Sequence, residues 1–123
     1  MIFIFQDFII KKLLHLKPKL IIIFGSYAKN TQHSRSDIDI AFYGEVKIDN
    51  YQRWLLAQEI AMGLDIDVDL IDLKSANDVL LFEIVSHGKV ILNKNMDSFL
   101  DRCYTNYFVL NDDRREILKY YDR

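Results

Sequence analysis

The segment FGSYAKNTQHSRSDIDIAF, from Phe24 to Phe42, constrains the fold of this chain more than any other. It begins at the end of the β-branched run Leu20–Phe24, which Gly25 closes, and it stops inside a second apolar run, Ile38–Tyr43. Both runs have the length and composition of short buried strands. Two aspartates open the second run although strands disfavour Asp. Their position therefore needs a reason other than strand formation.

Helical and strand periodicities alternate along the rest of the chain. A short helix is expected at Ser26–Asn30, and longer amphipathic helices are expected at Phe5–Leu16, Tyr51–Met62, Ser75–Ser86 and Met96–Phe108. Further strands are expected at Ile66–Leu73 and Val90–Leu92. Pro18 and Gly63 are expected to end their helices, Ser75 to be an N-cap, and Asp112–Arg115 interrupts the last apolar pattern. This order predicts one α/β domain over residues 1–123, with a small mixed sheet flanked by helices and a C-terminal amphipathic helix.

Composition and charge exclude several classes of protein. The net charge of −2 does not indicate a broad basic face, so direct contact with nucleic acid is not expected. Cys103 is the only cysteine, so an internal disulfide is impossible, which suits a reducing cytoplasm. Its place on a helical apolar face predicts a buried, inert thiol. The apolar runs Met1–Phe5 and Leu20–Phe24 are too short to span a membrane, and we expect a cytoplasmic protein.

Asp37 and Asp39 lie two residues apart in an extended segment, so both side chains leave the same face. Their Cα atoms are then roughly 7 Å apart, and the ionised carboxylates repel each other. A hard divalent cation between them removes the repulsion, and oxygen ligands favour Mg²⁺ or Mn²⁺. Two such ions can clamp an in-line displacement at phosphorus.

Gly25 and Ser26 provide a complementary feature. Glycine allows close approach of the backbone to a ligand, and a helix that begins at Ser26 directs free N–H groups towards a phosphate. A Gly-Ser pair alone is commonly an ordinary strand-to-helix turn, and an isolated Asp-x-Asp is commonly a solvated edge or an N-cap. The two features together, each at the end of a strand, are more specific than either one.

A third acidic segment follows in LDIDVDLIDL. Asp65, Asp67 and Asp69 are expected to share one face of a strand, and one of them could complete a metal site. The alternative is an exposed strand face, which we prefer for Asp65. An EF-hand loop counted from Asp65 is excluded, because its sixth position is Leu70 rather than Gly and its twelfth is Ala76 rather than Glu.

The pattern Gly25-Ser26, ten residues, then Asp37-Ile38-Asp39 resembles the signature of the DNA polymerase β-like nucleotidyltransferases. The later segments VDLIDL and EIVSHGKVIL resemble the minimal nucleotidyltransferase (MNT) family, and the resemblance covers Lys19–Asn93. It implies a nucleotidyltransferase fold, ATP as substrate, and two Mg²⁺ ions, or Mn²⁺ in their place.

The resemblance also implies roles for individual residues. Asp37, Asp39 and Asp69 would be the catalytic, metal-binding carboxylates, and Asp67 remains possible in the place of Asp69 because both face the same way. The residues implied to bind ATP are Gly25, Ser26, Arg35 and Ser36. Arg35 is equally compatible with a solvated loop cation. Asn30 stands where members of the family often have glycine, and Asn tolerates the left-handed conformation.

Among MNT proteins, this chain resembles the antitoxins whose partner is a HEPN-domain ribonuclease toxin. The resemblance implies a protein adenylyltransferase that transfers AMP from ATP to a tyrosine of that toxin, in a hetero-oligomer with it. One alternative is a non-catalytic antitoxin that binds its toxin sterically through the aromatic C-terminal segment, although for Phe99–Phe108 we prefer a place in the core. The other is a small-molecule nucleotidyltransferase, as in aminoglycoside resistance.

Overall fold

The computed structural model describes the backbone of residues 2–25 and 37–121, with side chains for residues 5–25 and 37–110. Within these ranges the helices are α1 (Ile2–Leu13), α2 (Asn50–Leu64), α3 (Asp78–His87) and α4 (Asp97–Tyr121). The strands are β1 (Pro18–Phe24), β2 (Ile38–Gly44), β3 (Val68–Asp72) and β4 (Lys89–Asn93). Short 3₁₀ turns lie at Leu14–Leu16 and Leu73–Ser75.

The four strands form one mixed sheet in the order β3-β2-β1-β4. Strand β1 pairs antiparallel with both β2 and β4, whereas β2 and β3 are parallel. Helix α2 provides the crossover that a parallel pair requires, and it begins with a capping box in which Gln52 N donates to Asp49 Oδ1 at 2.7 Å. The predicted α/β class with a small mixed sheet flanked by helices is confirmed.

The sheet separates two apolar cores. Ile21, Ile23, Ile38 and Ile40 face helices α1 and α2, and they are fully buried. The opposite face packs on α3 and α4. This second core includes Leu20, Ile22 and Ala41 of the sheet, Ile84 of α3, and Met96, which immediately precedes α4. By the alternation of a strand, Asp39 leaves β2 on the same side as Ala41, and Asp69 leaves β3 on the same side as Ile71.

The end of α2 differs from the prediction. The helix continues through Gly63 to Leu64, and Asp65 is its left-handed C-cap with φ of 55°. A Cβ at Gly63 would overlap the ring of Phe8. Glycine at this position therefore permits α1 to pack closely on α2, and it does not end the helix.

The segment that joins β3 to α3 also differs from the prediction. Strand β3 is shorter than Ile66–Leu73, and Ser75 ends a 3₁₀ turn rather than capping a helix. The N-cap of α3 is Asn77, whose side chain accepts a hydrogen bond from Leu80 N at 2.9 Å.

Helix α4 is longer than the apolar pattern indicated, because its backbone continues through residues 112–115 to Tyr121. Cys103 is buried as predicted, and burial raises the pKa of its thiol. The preference for a core position is wrong for Phe108, whose side chain is 53% exposed. No helix in the described part of the chain is both long enough and apolar enough to cross a membrane.

Candidate functional site

Two of the predicted carboxylates face each other across neighbouring strands. Asp39 is the second residue of β2 and Asp69 is the second residue of β3, and they are direct partners in the parallel register. The pairing begins one residue earlier, where Ile38 N donates to Asp67 O at 2.8 Å. Because parallel strands start at the same edge of a sheet, residues thirty positions apart in the sequence meet on one face.

Gly25 packs against the first of these carboxylates. Phe24 is the register partner of Asp39, and Gly25 follows with a φ of +74°. A Cβ on Gly25 would overlap the Asp39 carboxylate. Only glycine combines this backbone conformation with this close approach. The structure therefore brings Gly25, Asp39 and Asp69 together at one edge of the sheet.

The electrostatics of this edge are unfavourable for a charged carboxylate. Burial is the largest effect that raises the pKa of Asp39, followed by repulsion from Asp69 and then from Asp37, and together they raise it from 3.8 to about 6. The two ion pairs among the described side chains, Lys19–Glu45 and His87–Glu83, do not include these aspartates. Negative charge is thus concentrated here, and neither of these ion pairs offsets it.

The donor chemistry fits a hard divalent cation, because all three groups are carboxylates and their repulsion is the kind that such an ion relieves. Asp37 is exposed, immediately before β2. Within the described residues, no three His, Cys, Asp or Glu side chains converge closely enough to form a ready metal-binding group. Binding would therefore need rotation of the carboxylate side chains.

The other two acidic residues of the third segment occupy different environments. Asp65 caps α2 in the left-handed conformation, so the prediction that it shares a strand face is wrong. Asp67 is exposed and precedes β3. The register places Asp69, rather than Asp67, opposite Asp39. The remaining predicted residues, Ser26, Arg35 and Ser36, lie outside the described residues, as does the short helix expected at Ser26–Asn30.

Sequence reasoning missed a small cavity beside Asp69. It has a volume of about 150 Å³ and lies between α2 and the edge strand β3. Its walls include Arg53, Trp54 and Gln58 from the helix and Val68 and Asp69 from the strand. The sequence did contain a signal of this surface. Helix α2 has apolar residues on two sides, although a helix with one buried face needs apolar residues on only one side.

A larger cavity, of about 450 Å³, lies at the far end of β2 between the 3₁₀ turn and α4. It is lined by Tyr43, Lys74, Phe99 and Arg102, and Lys74 Nζ lies 5.3 Å from the centroid of the Tyr43 ring. Tyr43 lies four positions after Asp39 along the extended strand, which is a distance of about 13 Å. This cavity is therefore separate from the carboxylate edge.

A glycine packed on a strand-borne carboxylate, and a second carboxylate on the next strand, are the arrangement of a nucleotidyltransferase. Residues 8–97 match the family described as "Polymerase beta, Nucleotidyltransferase". The chain belongs to this family. It is 44% identical to Protein adenylyltransferase MntA of Shewanella oneidensis over 104 residues, which are 83% of this chain and 75% of that protein.

Solved structures agree with this assignment. A toxin–antitoxin structure with AMP-PNP contains a chain that is 40% identical and superposes with a TM-score of 0.82, covering 96% of this chain and 98% of that one. A second structure is the tri-AMPylated Shewanella oneidensis HEPN toxin in complex with MNT antitoxin. Its matching chain is 36% identical, with a TM-score of 0.78 and complete coverage of both chains.

Proposed function

We propose that this protein is an antitoxin-type protein adenylyltransferase. It transfers AMP from ATP to a tyrosine of a HEPN-domain ribonuclease toxin, its partner in a hetero-oligomer, and thereby neutralises the toxin. The observation that carries the proposal is the pairing of Asp39 with Asp69 against Gly25, in a chain 44% identical to a protein adenylyltransferase.

The proposed roles follow from the chemistry of each group. The backbone at Gly25, the Ser26 hydroxyl, Arg35 and Ser36 orient the phosphates of ATP. Asp37, Asp39 and Asp69 would hold two Mg²⁺ ions, which supply positive charge to the phosphates and to the attacking and leaving oxygens. The raised pKa of Asp39 supports this part, because uncompensated repulsion between carboxylates favours a bound cation.

The reaction is an in-line displacement at the α-phosphorus of ATP. The tyrosine oxygen forms a bond to the α-phosphorus while the bond between that atom and the bridging oxygen of the leaving group breaks. Pyrophosphate leaves with that electron pair. The phenol proton is transferred towards the carboxylate of Asp69, an exposed acidic residue on the edge strand. The products are an O-adenylyl tyrosine and pyrophosphate.

The decisive experiment separates catalysis from steric inhibition. A trace of this protein with ATP and Mg²⁺ should silence an excess of the cognate HEPN-domain ribonuclease, and the silence should persist after the two proteins are separated. Intact mass spectrometry should then show the ribonuclease heavier by one or more AMP units. A steric inhibitor would need equal stoichiometry and would leave no covalent mark.

The matched control is the Asp37→Ala, Asp39→Ala double variant, which should still bind the ribonuclease but lose silencing at trace amounts. If this variant protects as well as the wild type when substoichiometric, the enzyme proposal fails. Omission of Mg²⁺ in the presence of a chelator tests the metal requirement separately.

A further inference from the structure

Helix α2 has a second apolar face that the described residues leave uncovered. Its inner face buries Leu56, Ala57 and Ile60. Its outer face presents large apolar side chains that are exposed by 67%, 56%, 39% and 83%, and they are Tyr51, Trp54, Leu55 and Met62. We call these four residues the outer α2 face. A helix that is apolar on both sides is typical of one buried between two partners.

The geometry of the outer α2 face suits contact with another protein. Tyr51, Trp54 and Leu55 recur at i, i+3 and i+4, so they form an apolar cluster near the start of the helix. Met62 lies on the same side of the helix, beyond the exposed Gln58 and Glu59. The rings of Tyr51 and Trp54 are stacked with their centroids 6.3 Å apart. Tyr and Trp are the residue types most enriched among the binding hot spots of protein interfaces.

Grooves lie on both sides of the outer α2 face. One is the cavity between α2 and β3 that contains Trp54 and Asp69. The other has a volume of about 330 Å³ and lies between α2 and the segment that carries Val46 and Ile48, with Leu55 and Gln52 in its wall. A ridge between two grooves is the surface shape on which another element packs by interdigitation.

The outer α2 face also borders the strand that carries Asp69. Trp54 and Asp69 line the same cavity, and β3 is the edge strand of the sheet. A protein that covers Trp54 is therefore next to the edge that carries Asp69. Arg53 lines the same cavity and makes neither of the ion pairs found among the described side chains. Its Nη2 donates to Asn50 Oδ1 at 3.2 Å.

We propose that the outer α2 face, with Arg53 beside it, docks the protein that supplies the acceptor tyrosine. The complementary partner surface is apolar and carries an acidic side chain that pairs with Arg53. This inference rests on the proposed function for the identity of the partner, and it adds the surface that positions the acceptor at Asp69.

The first test uses Trp54, the only tryptophan of the chain. Incorporation of 5-fluorotryptophan into this protein alone gives a single ¹⁹F resonance, whatever the composition of the partner. Addition of the unlabelled cognate HEPN-domain protein should shift and broaden this resonance in proportion to the complex formed. A complex that co-elutes in gel filtration while the resonance keeps its free position would overturn the proposal.

The second test uses charge insertion at exposed positions. Trp54→Glu and Tyr51→Glu should each weaken the complex by about 30-fold, because a hot-spot contact is lost and a charge is buried. Phe108→Glu is the matched control, since Phe108 is an aromatic residue on a different helix, α4, and its exposure of 53% is close to the 56% of Trp54. Circular dichroism and ATP titration should show that all three variants fold and bind nucleotide as the wild type does.

The kinetics give a readout that misfolding would not imitate. Trp54→Glu should raise KM for the acceptor protein by about 30-fold, with kcat and KM for ATP changed less than about threefold, because docking is lost while the chemistry remains. A fall in kcat at unchanged KM would contradict a docking role. Stronger loss of binding in Phe108→Glu than in Trp54→Glu would assign docking to α4 instead.

The two proposals can fail separately. If the wild-type protein binds the HEPN-domain protein but transfers no AMP to it, the proposed function fails, and the ¹⁹F and affinity measurements still decide whether the outer α2 face docks the partner. If AMP is transferred normally by Trp54→Glu at low acceptor concentration, the docking inference fails and the proposed function remains.

Discussion

Two segments of this chain alternate aspartate with apolar residues, and the fold uses them differently. In the first segment, Asp37 immediately precedes β2 and Asp39 lies in it, and both add negative charge at one edge of the sheet. In the second, the chain passes from a helix end into a strand, so Asp65 caps α2, Asp67 is exposed and only Asp69 pairs with Asp39. The same alternation therefore gives a shared environment only where the backbone is extended throughout.

The difference shows that strand register selects among similar carboxylates. Parallel pairing of β2 with β3 brings Asp69 to Asp39. Asp65 is only four residues earlier than Asp69, but it adopts a left-handed conformation with φ of 55° as the C-cap of α2. Equivalent substitutions of aspartate in the two segments should therefore have very unequal effects on AMP transfer.

The largest effect is expected from the first segment. Asp39→Ala should reduce AMP transfer by about 1,000-fold or more, because loss of a metal ligand removes several kcal/mol of transition-state stabilisation. Asp65→Asn is the matched control in the second segment, since Asn tolerates the left-handed conformation, and it should change transfer less than about twofold. Radiolabelled ATP with the HEPN-domain acceptor measures both rates. Comparable losses in the two variants would contradict the distinction between the segments.

The next largest effect on AMP transfer is expected from the second segment, where two aspartates can be compared. Asp69→Asn should lower transfer by about 100-fold or more, whereas Asp67→Asn should lower it by about threefold, because only Asp69 faces Asp39 across the strand pair. Both changes conserve size and remove the negative charge. A single-turnover assay at saturating ATP ranks them. The reverse ranking would move the role of the third carboxylate to Asp67.

A smaller effect is expected from the glycine that contacts only the first segment. Gly25→Ala should reduce transfer by about 30-fold, because its Cβ displaces the Asp39 carboxylate and a 1 Å displacement of a catalytic group costs up to about 100-fold. Gly63→Ala is the control, since its Cβ meets the ring of Phe8 away from the carboxylates. It should lower the melting temperature without lowering transfer by the folded protein. Equal transfer rates in the two variants would indicate that Gly25 does not position Asp39.

The smallest effect concerns stability without metal. The pKa of Asp39 is about 6 in the folded protein and 3.8 ordinarily, so the folded state binds the extra proton between these values and loses stability as the pH rises through them. In EDTA at pH 7.5, the Asp39→Asn variant should therefore be more stable than the wild type by about 1 kcal/mol, a value that allows for the partial exposure of Asp39. Below pH 4 the variant should have no advantage in stability.

Urea unfolding at the two pH values measures this difference. Asp65→Asn is again the control, and as a surface substitution it should change the unfolding free energy by less than about 0.5 kcal/mol at either pH. A destabilised Asp39→Asn variant at pH 7.5 would show that the carboxylate makes a favourable contact that repulsion from Asp69 and Asp37 does not describe.

Much of the fold was predictable because local patterns carried it. The apolar runs that became β1 and β2 are β-branched and end at glycine, and their positions were predicted to within two residues. The ends of α2 and α3 were not predictable from the same signals. Gly63 lies inside its helix, against Phe8 of α1. The N-cap of α3 is Asn77, and Ser75 belongs to a 3₁₀ turn that Asp72 caps by accepting from Lys74 N at 3.0 Å.

The sequence by itself determined the class of protein and the two halves of the candidate site, because a Gly-Ser turn and an Asp-x-Asp pair are local features with fixed spacing. Only the tertiary structure decided that Asp69 faces Asp39, and that Gly25 contacts that carboxylate. Only it showed that the Trp54 side of α2 stays exposed. The physical reason is that register and burial arise from strand pairing and packing between segments far apart in the chain, which the spacing of residues within one segment cannot encode.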